Sequence, residues 1–194
     1  MIIQKYLPPN TLRRPSLKLL GVKFGVAHDT GNLNSTAMQN VDYFIKSANE
    51  TQASAHTFID DVNIIECIPL DEKAYHVRRA SEVDNSIYGV DAIDWALAVE
   101  LCYFTDLERS KIAYKNYVEY WRTLCQKYEL NPATAIIGHY TLDPIRRTDP
   151  LNAFKRIGVT WERFIKDLAT PNIPNENLNR QEIKKQIIEL LEKL

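Results

Sequence analysis

This chain of 194 residues has only three cysteines, and no two of them stand in a Cys-x-x-Cys spacing. An odd count without paired spacing speaks against a disulfide framework and against a thiolate zinc site. Cys67 and Cys102 lie in apolar, strand-like runs, and the expectation is buried, reduced thiols. Charge of one sign is lacking too: 24 basic and 25 acidic residues leave a formal net charge of -1. The basic pairs Arg13-Arg14, Arg78-Arg79 and Arg146-Arg147 are short and scattered. No global field draws the protein to nucleic acid or to an anionic surface, so nucleic acid is not an expected partner. No apolar window approaches the roughly 20 residues that cross a bilayer, so membrane insertion is not expected either. The start, Met1 to Pro9, has a short apolar run and an early proline pair, unlike a secretory signal. The expected location is therefore the cytoplasm, until something releases the protein. There is no internal repeat and no low-complexity tract.

What is present suits one domain over residues 1–169. Hydrophobic residues make up 45% of the chain, enough for a sizeable core. Residues 22–28 read as a strand. Ser35 can cap a helix running to about Glu50, with Val41, Phe44, Ile45 and Ala48 at helical spacing. His56–Ile59 and Asn63–Ile68 read as strands joined by a tight turn. Residues 77–92 show no period and read as a long loop. Ala96–Tyr103 is an apolar run with Glu100 inside it, a buried strand. Thr105 or Asp106 starts a long amphipathic helix to Tyr128. Ala135–Gly138 is the last strand, and Thr160 caps a further helix. This alternation predicts an α/β fold with a mixed central sheet flanked by helices. Residues 170–179 read as a Pro/Asn linker. A helix over 180–194 follows, with Ile183, Ile187, Leu190, Leu191 and Leu194 on one face. A helix that short is marginal alone in water, so its stripe is expected to dock on the rest of the chain or to self-associate with a second copy.

The richest segment is Gly138 to Pro150. A histidine at a strand end is followed by a Pro-punctuated loop carrying Arg147 and Asp149. Far upstream, Val22–His28 is another strand ending in histidine, followed by Asp29-Thr30-Gly31-Asn32. Two histidines and one carboxylate, with a fourth position open for water, are the ligands of a catalytic zinc site. Asp143 and Asp149 are the rival carboxylates, and two histidines with a carboxylate also suit iron. Glu100 sits among apolar neighbours, where a carboxylate is costly unless paired or used.

Five segments in order carry a resemblance: Val26-Ala27-His28-Asp29-Thr30, Ser54 to Asp61, Ile68 to His76, Ala98-Val99-Glu100-Leu101-Cys102, and the His139 to Asp149 loop. The chain resembles the zinc-dependent N-acetylmuramoyl-L-alanine amidases of the amidase-2, or peptidoglycan-recognition-protein-like, family. The resemblance implies that family's mixed α/β fold over residues 1–169. It implies Zn²⁺ held by His28, His139 and Asp149, with Asp149 preferred over Asp143 because it precedes a proline, two residues after a basic one. Glu100 corresponds to the family's catalytic glutamate. Arg147 stands where one branch has an oxyanion-stabilising lysine; it keeps the charge but cannot give up a proton. His76, in Ala74-Tyr75-His76, corresponds to a histidine lining the substrate groove, and Asp29 and Thr30 are further substrate-binding candidates. Tyr75 replaces the family's tryptophan, and Arg78 stands where glycine is common. His56 is expected to support the core. The implied substrate is bacterial peptidoglycan, cut between N-acetylmuramic acid and L-alanine by a phage or prophage endolysin. A cytoplasmic muropeptide-recycling amidase and a non-catalytic peptidoglycan binder are the alternatives.

Overall fold

The computed structural model describes residues 2–79 and 82–170, and the helix expected over 180–194, with all of its linker except Thr170, lies outside the described residues. The core is organised around one strand, β2 (Phe24–Asp29), all six residues of which are buried. Such a strand must be flanked on both edges and covered on both faces. It pairs in parallel with β5 (Ala96–Leu101) on one side and with β6 (Ile136–Gly138) on the other. Outward from β5 come β3 (Thr57–Ile59), parallel to β5, then the antiparallel β4 (Ile64–Glu66), then β1 (Ile2–Gln4), parallel to β4. The sheet order is β1-β4-β3-β5-β2-β6. The sheet is mixed, as the alternation of elements predicts.

The two faces of the sheet are covered differently. Ala27, Leu97 and Val99 pack into the main core with Tyr117 and Trp121 of the long helix α4 (Leu107–Lys127). Phe24 and Val26 join a smaller cluster with Ala92, Ala96 and Ile137. Side chains alternate along a strand, so His28 follows Phe24 and Val26 onto the second face. Gly25 points the other way: a Cβ there would lie 2.3 Å from the Trp121 ring. Only glycine lets this large buried ring press on the central strand.

Several boundaries differ from the sequence reading. Helix α1 (Ala37–Lys46) is capped by Thr36, not Ser35, and stops short of Glu50. The Thr36 hydroxyl accepts from the Gln39 backbone N–H while the Gln39 side chain accepts from that of Thr36, a reciprocal pair that fixes the start. Residues 77–92 are not one loop. They contain α2 (Glu82–Tyr88), and α3 (Ala92–Trp95) follows, capped by Asp91. Tyr88 holds α2 in place by stacking on Phe24, with ring centroids 3.8 Å apart. At seven and four residues, such helices are too short to show a period. The same holds for α5 (Pro132–Ala135), α6 (His139–Leu142) and α7 (Leu151–Arg156). Helix α8 (Trp161–Ala169) begins at its Thr160 cap, as read. Asp106 caps α4 by accepting from the N–H groups of Glu108 and Arg109. Cys67, Cys102 and Cys125 are free and buried. No helix among the described residues is long and apolar enough to cross a membrane.

Candidate active site

Strand register assembles the site. His28 of β2 lies directly opposite Glu100 of β5. On the other side Ala27 pairs with Gly138, the last residue of β6, and His139 follows at once. Three chemistry-bearing residues therefore meet at the carboxyl ends of adjacent parallel strands, where open α/β sheets place their ligand crevices. The loop after α6 returns Asp149 to the same point. Tyr140 N–H donates to the Asp149 carbonyl at 3.0 Å. The Thr148 hydroxyl donates to Asn152 Oδ1 at 3.0 Å, and Asn152 Nδ2 donates to Asp29 Oδ1 at 3.3 Å. This chain ties the loop to the end of β2.

Asp149 Oδ2 lies 2.8 Å from His28 Nδ1 and 3.0 Å from His139 Nδ1. One ligand atom from each of the three residues falls within 4.8 Å of the others. Both histidines are buried. Burial favours the neutral imidazole and lowers the His28 pKa to about 4, against the opposing pull of Asp149. Burial pushes the Asp149 carboxyl up, but the two imidazoles outweigh it and hold the group ionised, below its ordinary value. Two imidazoles converging on an ionised carboxylate form the donor set that a divalent cation such as zinc takes. Asp143 is not part of it. Its carboxylate is held by Arg146, with Arg146 Nε at 2.8 Å.

Glu100 is half-buried, yet its Oε2 is shut off from solvent and has no hydrogen-bond partner among the described residues. Its pKa is raised well above the ordinary value, first by burial, then by the charges of Asp149 and Asp29. Arg147 opposes that rise. The Arg147 side chain is exposed and lines the same cavity of about 570 Å³.

His76 is buried beside this cluster, its Nδ1 3.2 Å from His28 Nε2. His28 thus has Asp149 on one ring nitrogen and His76 on the other, which fixes the ring plane. His56 lies deeper. Its Nδ1 accepts from Ala98 N–H at 3.0 Å, and its Nε2 is 2.8 Å from the Glu72 carbonyl. Both nitrogens are committed to the backbone, so His56 supports the strands and has no free donor for a ligand. Asp29 is similarly engaged: it accepts from the backbone N–H groups of Gly31 and Ala153 at 3.0 and 3.2 Å, besides Asn152. Its position is on the cavity wall, with its oxygens turned to the loop and to α7. Thr30 is half-buried on the same wall. Asn152, Gln52 and Ser54 also line the cavity and were not read as site residues from the sequence, because a lone amide or hydroxyl carries no spacing signal.

The fold and the site define a class: a mixed α/β protein with a two-histidine, one-aspartate cleft at the carboxyl ends of its central parallel strands. The N-acetylmuramoyl-L-alanine amidase family model, Amidase_2, matches residues 18–152, and the chain belongs to that family. It is 34% identical over 145 residues to the N-acetylmuramoyl-L-alanine amidase BlyA of Bacillus subtilis (strain 168), a match covering 71% of this chain and 39% of BlyA. It is 30% identical over 142 residues to the N-acetylmuramoyl-L-alanine amidase CwlL of Bacillus licheniformis, covering 72% of this chain and 39% of CwlL. The chain thus spans about two fifths of the length of these curated relatives. The structure of PlyL superposes with a TM-score of 0.69 at 22% identity, covering 89% of this chain and 99% of PlyL. The catalytic domain of XlyA superposes with a TM-score of 0.68 at 20% identity, covering 87% and 99%. These structural likenesses show the shared fold.

Proposed function

We propose that this protein is a zinc-dependent peptidoglycan amidase that hydrolyses the amide between the lactyl group of N-acetylmuramic acid and L-alanine, in the manner of a phage or prophage endolysin. One observation carries the reading: His28, His139 and Asp149 converge within 4.8 Å in a cleft that also holds Glu100. His28, His139 and Asp149 would hold the metal. Zn²⁺ bound there supplies Lewis acidity, polarising a carbonyl and acidifying water.

The remaining roles belong to the chain itself. Glu100 Oε2, unpartnered and with raised proton affinity, accepts the proton of the attacking water and delivers it to the leaving alanine nitrogen. Arg147 places a permanent charge on the cavity wall, where the carbonyl oxygen becomes negative. His76 holds the His28 ring in orientation. Release to the wall would follow host lysis or a membrane-permeabilising partner.

Mass spectrometry of digested peptidoglycan tests the activity. The expected result is a new free L-alanine amine with glycan strands intact. A new reducing sugar end, or no cleavage by zinc-loaded protein, would sink the reading. Activity on intact sacculi, and not only on soluble muropeptides, separates a lytic role from a recycling one.

A further inference from the structure

The catalytic cavity does not end at Tyr75. Beyond it lies a second cavity of about 340 Å³, and Gln52 and Tyr75 line both. The cleft therefore continues over the Tyr75 side chain into a groove between two chain segments, residues 10–15 and residues 49–52. Its walls include Asn10, Thr11, Leu12 and Asn49.

The two walls are locked to each other before any ligand arrives. Arg13 is buried beneath them, which is costly for a guanidinium without full pairing. Its Nε donates to the Ser47 carbonyl at 3.0 Å and to the Ser47 hydroxyl at 3.1 Å. Its Nη1 donates to the Ala53 carbonyl, and its Cζ lies 4.2 Å from the centre of the Phe44 ring. Above it Leu12 N–H donates to Asn49 Oδ1 at 3.2 Å, and Asn49 lines the groove. Asn10 sits at φ 59°, its backbone N–H held by the Ser16 hydroxyl. Tyr75 is pinned to Ser54: its carbonyl accepts from Ser54 N–H and its own N–H donates to the Ser54 hydroxyl, each at 2.9 Å. A groove held this way loses little entropy when it is occupied.

The chemistry of the walls differs from that of the catalytic cavity. The catalytic cavity is lined by Arg78, Arg146, Arg147, Asp29, Glu100 and Asp149. Among the described residues no charged side chain lines the second groove; it offers amides, a hydroxyl, a tyrosine and small apolar surfaces. Side-chain amides beside an aromatic ring suit a neutral, hydroxyl-rich ring with an acetamido group. They do not suit a stem peptide rich in carboxylates, which would leave charges unpaired.

We propose that this groove is a second subsite, and that it takes an N-acetylhexosamine of the glycan strand next to the muramic acid whose amide is cut. The inference rests on the amidase reading and adds a direction to it. The glycan runs over Tyr75 toward Asn10, and the peptide stays among the charges of the catalytic cavity.

Steady-state kinetics on two series of soluble muropeptides test this. In one series the peptide is fixed and the glycan grows from one sugar to four; in the other the glycan is fixed and the peptide grows. The variant is Asn10→Gly, which removes the amide yet keeps the left-handed backbone that residue 10 adopts. For the wild type, KM should fall as the glycan lengthens. In Asn10→Gly that fall should shrink, raising KM on the longest glycan about three- to tenfold, with kcat and the single-sugar substrate unchanged. A second variant, Leu12→Trp, fills the groove from its exposed rim and should give the same pattern. Loss of the peptide-length dependence instead would show that the groove holds peptide and overturn the proposal. So would a wild-type KM that ignores glycan length while cleavage proceeds normally. No cleavage of any substrate by zinc-loaded wild type would take down the amidase reading itself, and this inference with it.

Discussion

The floor and the rim of the catalytic cavity are built on opposite terms. On the floor, His28, His139 and Asp149 are mutually engaged and largely buried, and Glu100 is held by strand register opposite His28. On the rim, Arg78 and Arg147 are exposed, and no carboxylate lies within ion-pair distance of either among the described residues. In the proposed mechanism, floor groups therefore act through fixed geometry and shifted proton affinity. In the same proposal, rim groups act through charge alone, in a medium where water screens them. Substitutions on the floor should be severe and specific in kind, whereas rim substitutions should be mild and answer to charge.

The largest effect is expected at the two loop aspartates. Asp149→Ala should lose bound zinc and essentially all activity, because a two-histidine remnant holds metal poorly. Asp143→Ala should keep zinc, since that carboxylate is held by Arg146 and is outside the His28, His139, Asp149 cluster. Metal content by atomic emission decides between them; zinc lost from Asp143→Ala and kept by Asp149→Ala would reverse the assignment. Next comes Glu100→Gln, which should retain zinc and fold yet lose about 10²-fold or more in turnover. Retained turnover within a few-fold would move the acid/base elsewhere.

These two tests also mark what could be read from the sequence. Strands β2 to β6 were legible because buried strands are apolar runs, and the two strand-end histidines were legible because they end such runs; β1 (Ile2–Gln4), a largely exposed three-residue edge strand, was missed. The register that sets one of those histidines against Glu100 was not legible. Nothing in residues 22–28 or 96–103 says that His28 stands opposite Glu100; that follows from β5 taking the place next to β2 in the sheet. Asp143 and Asp149 remained rivals on local spacing because spacing does not show that Arg146 folds back on Asp143. The helices over 82–88 and 151–156 were missed because neither spans enough turns to display a period. Their anchors are long-range: the stack of Tyr88 on Phe24, and Ala153 N–H on Asp29.

The rim should respond more gently. Arg147→Ala should lower kcat by about tenfold, and Arg147→Lys should restore most of that, since a screened surface charge contributes less than a buried donor. The Arg147→Ala defect should also shrink when the wild-type rate is slowed by added salt. Full activity in Arg147→Ala would assign the whole electrostatic task to the floor.

The smallest effect lies beneath the floor and is one of stability. His56 is neutral in the folded protein: its Nδ1 accepts from Ala98 N–H and its Nε2–H donates to the Glu72 carbonyl. Protonation would break the first of these bonds. Burial accordingly lowers its pKa to about 4 from 6.5. Between those two values the unfolded chain binds a proton that the folded chain refuses. This stabilising contribution is therefore complete above pH 6.5 and is lost as pH falls toward 4, with a slope of up to about 1.4 kcal/mol per pH unit. In zinc-free protein His28 adds a slope of the same sign, because its pKa is also lowered to about 4. The measurement is therefore a difference: urea unfolding of zinc-free wild type and His56→Gln at pH 7, 6 and 5. The variant should be less stable at pH 7, and its stability should fall less steeply with acid, by about one proton. Equal slopes would mean that His56 can be protonated in place, and that the backbone bonds seen on its two nitrogens do not hold the ring neutral.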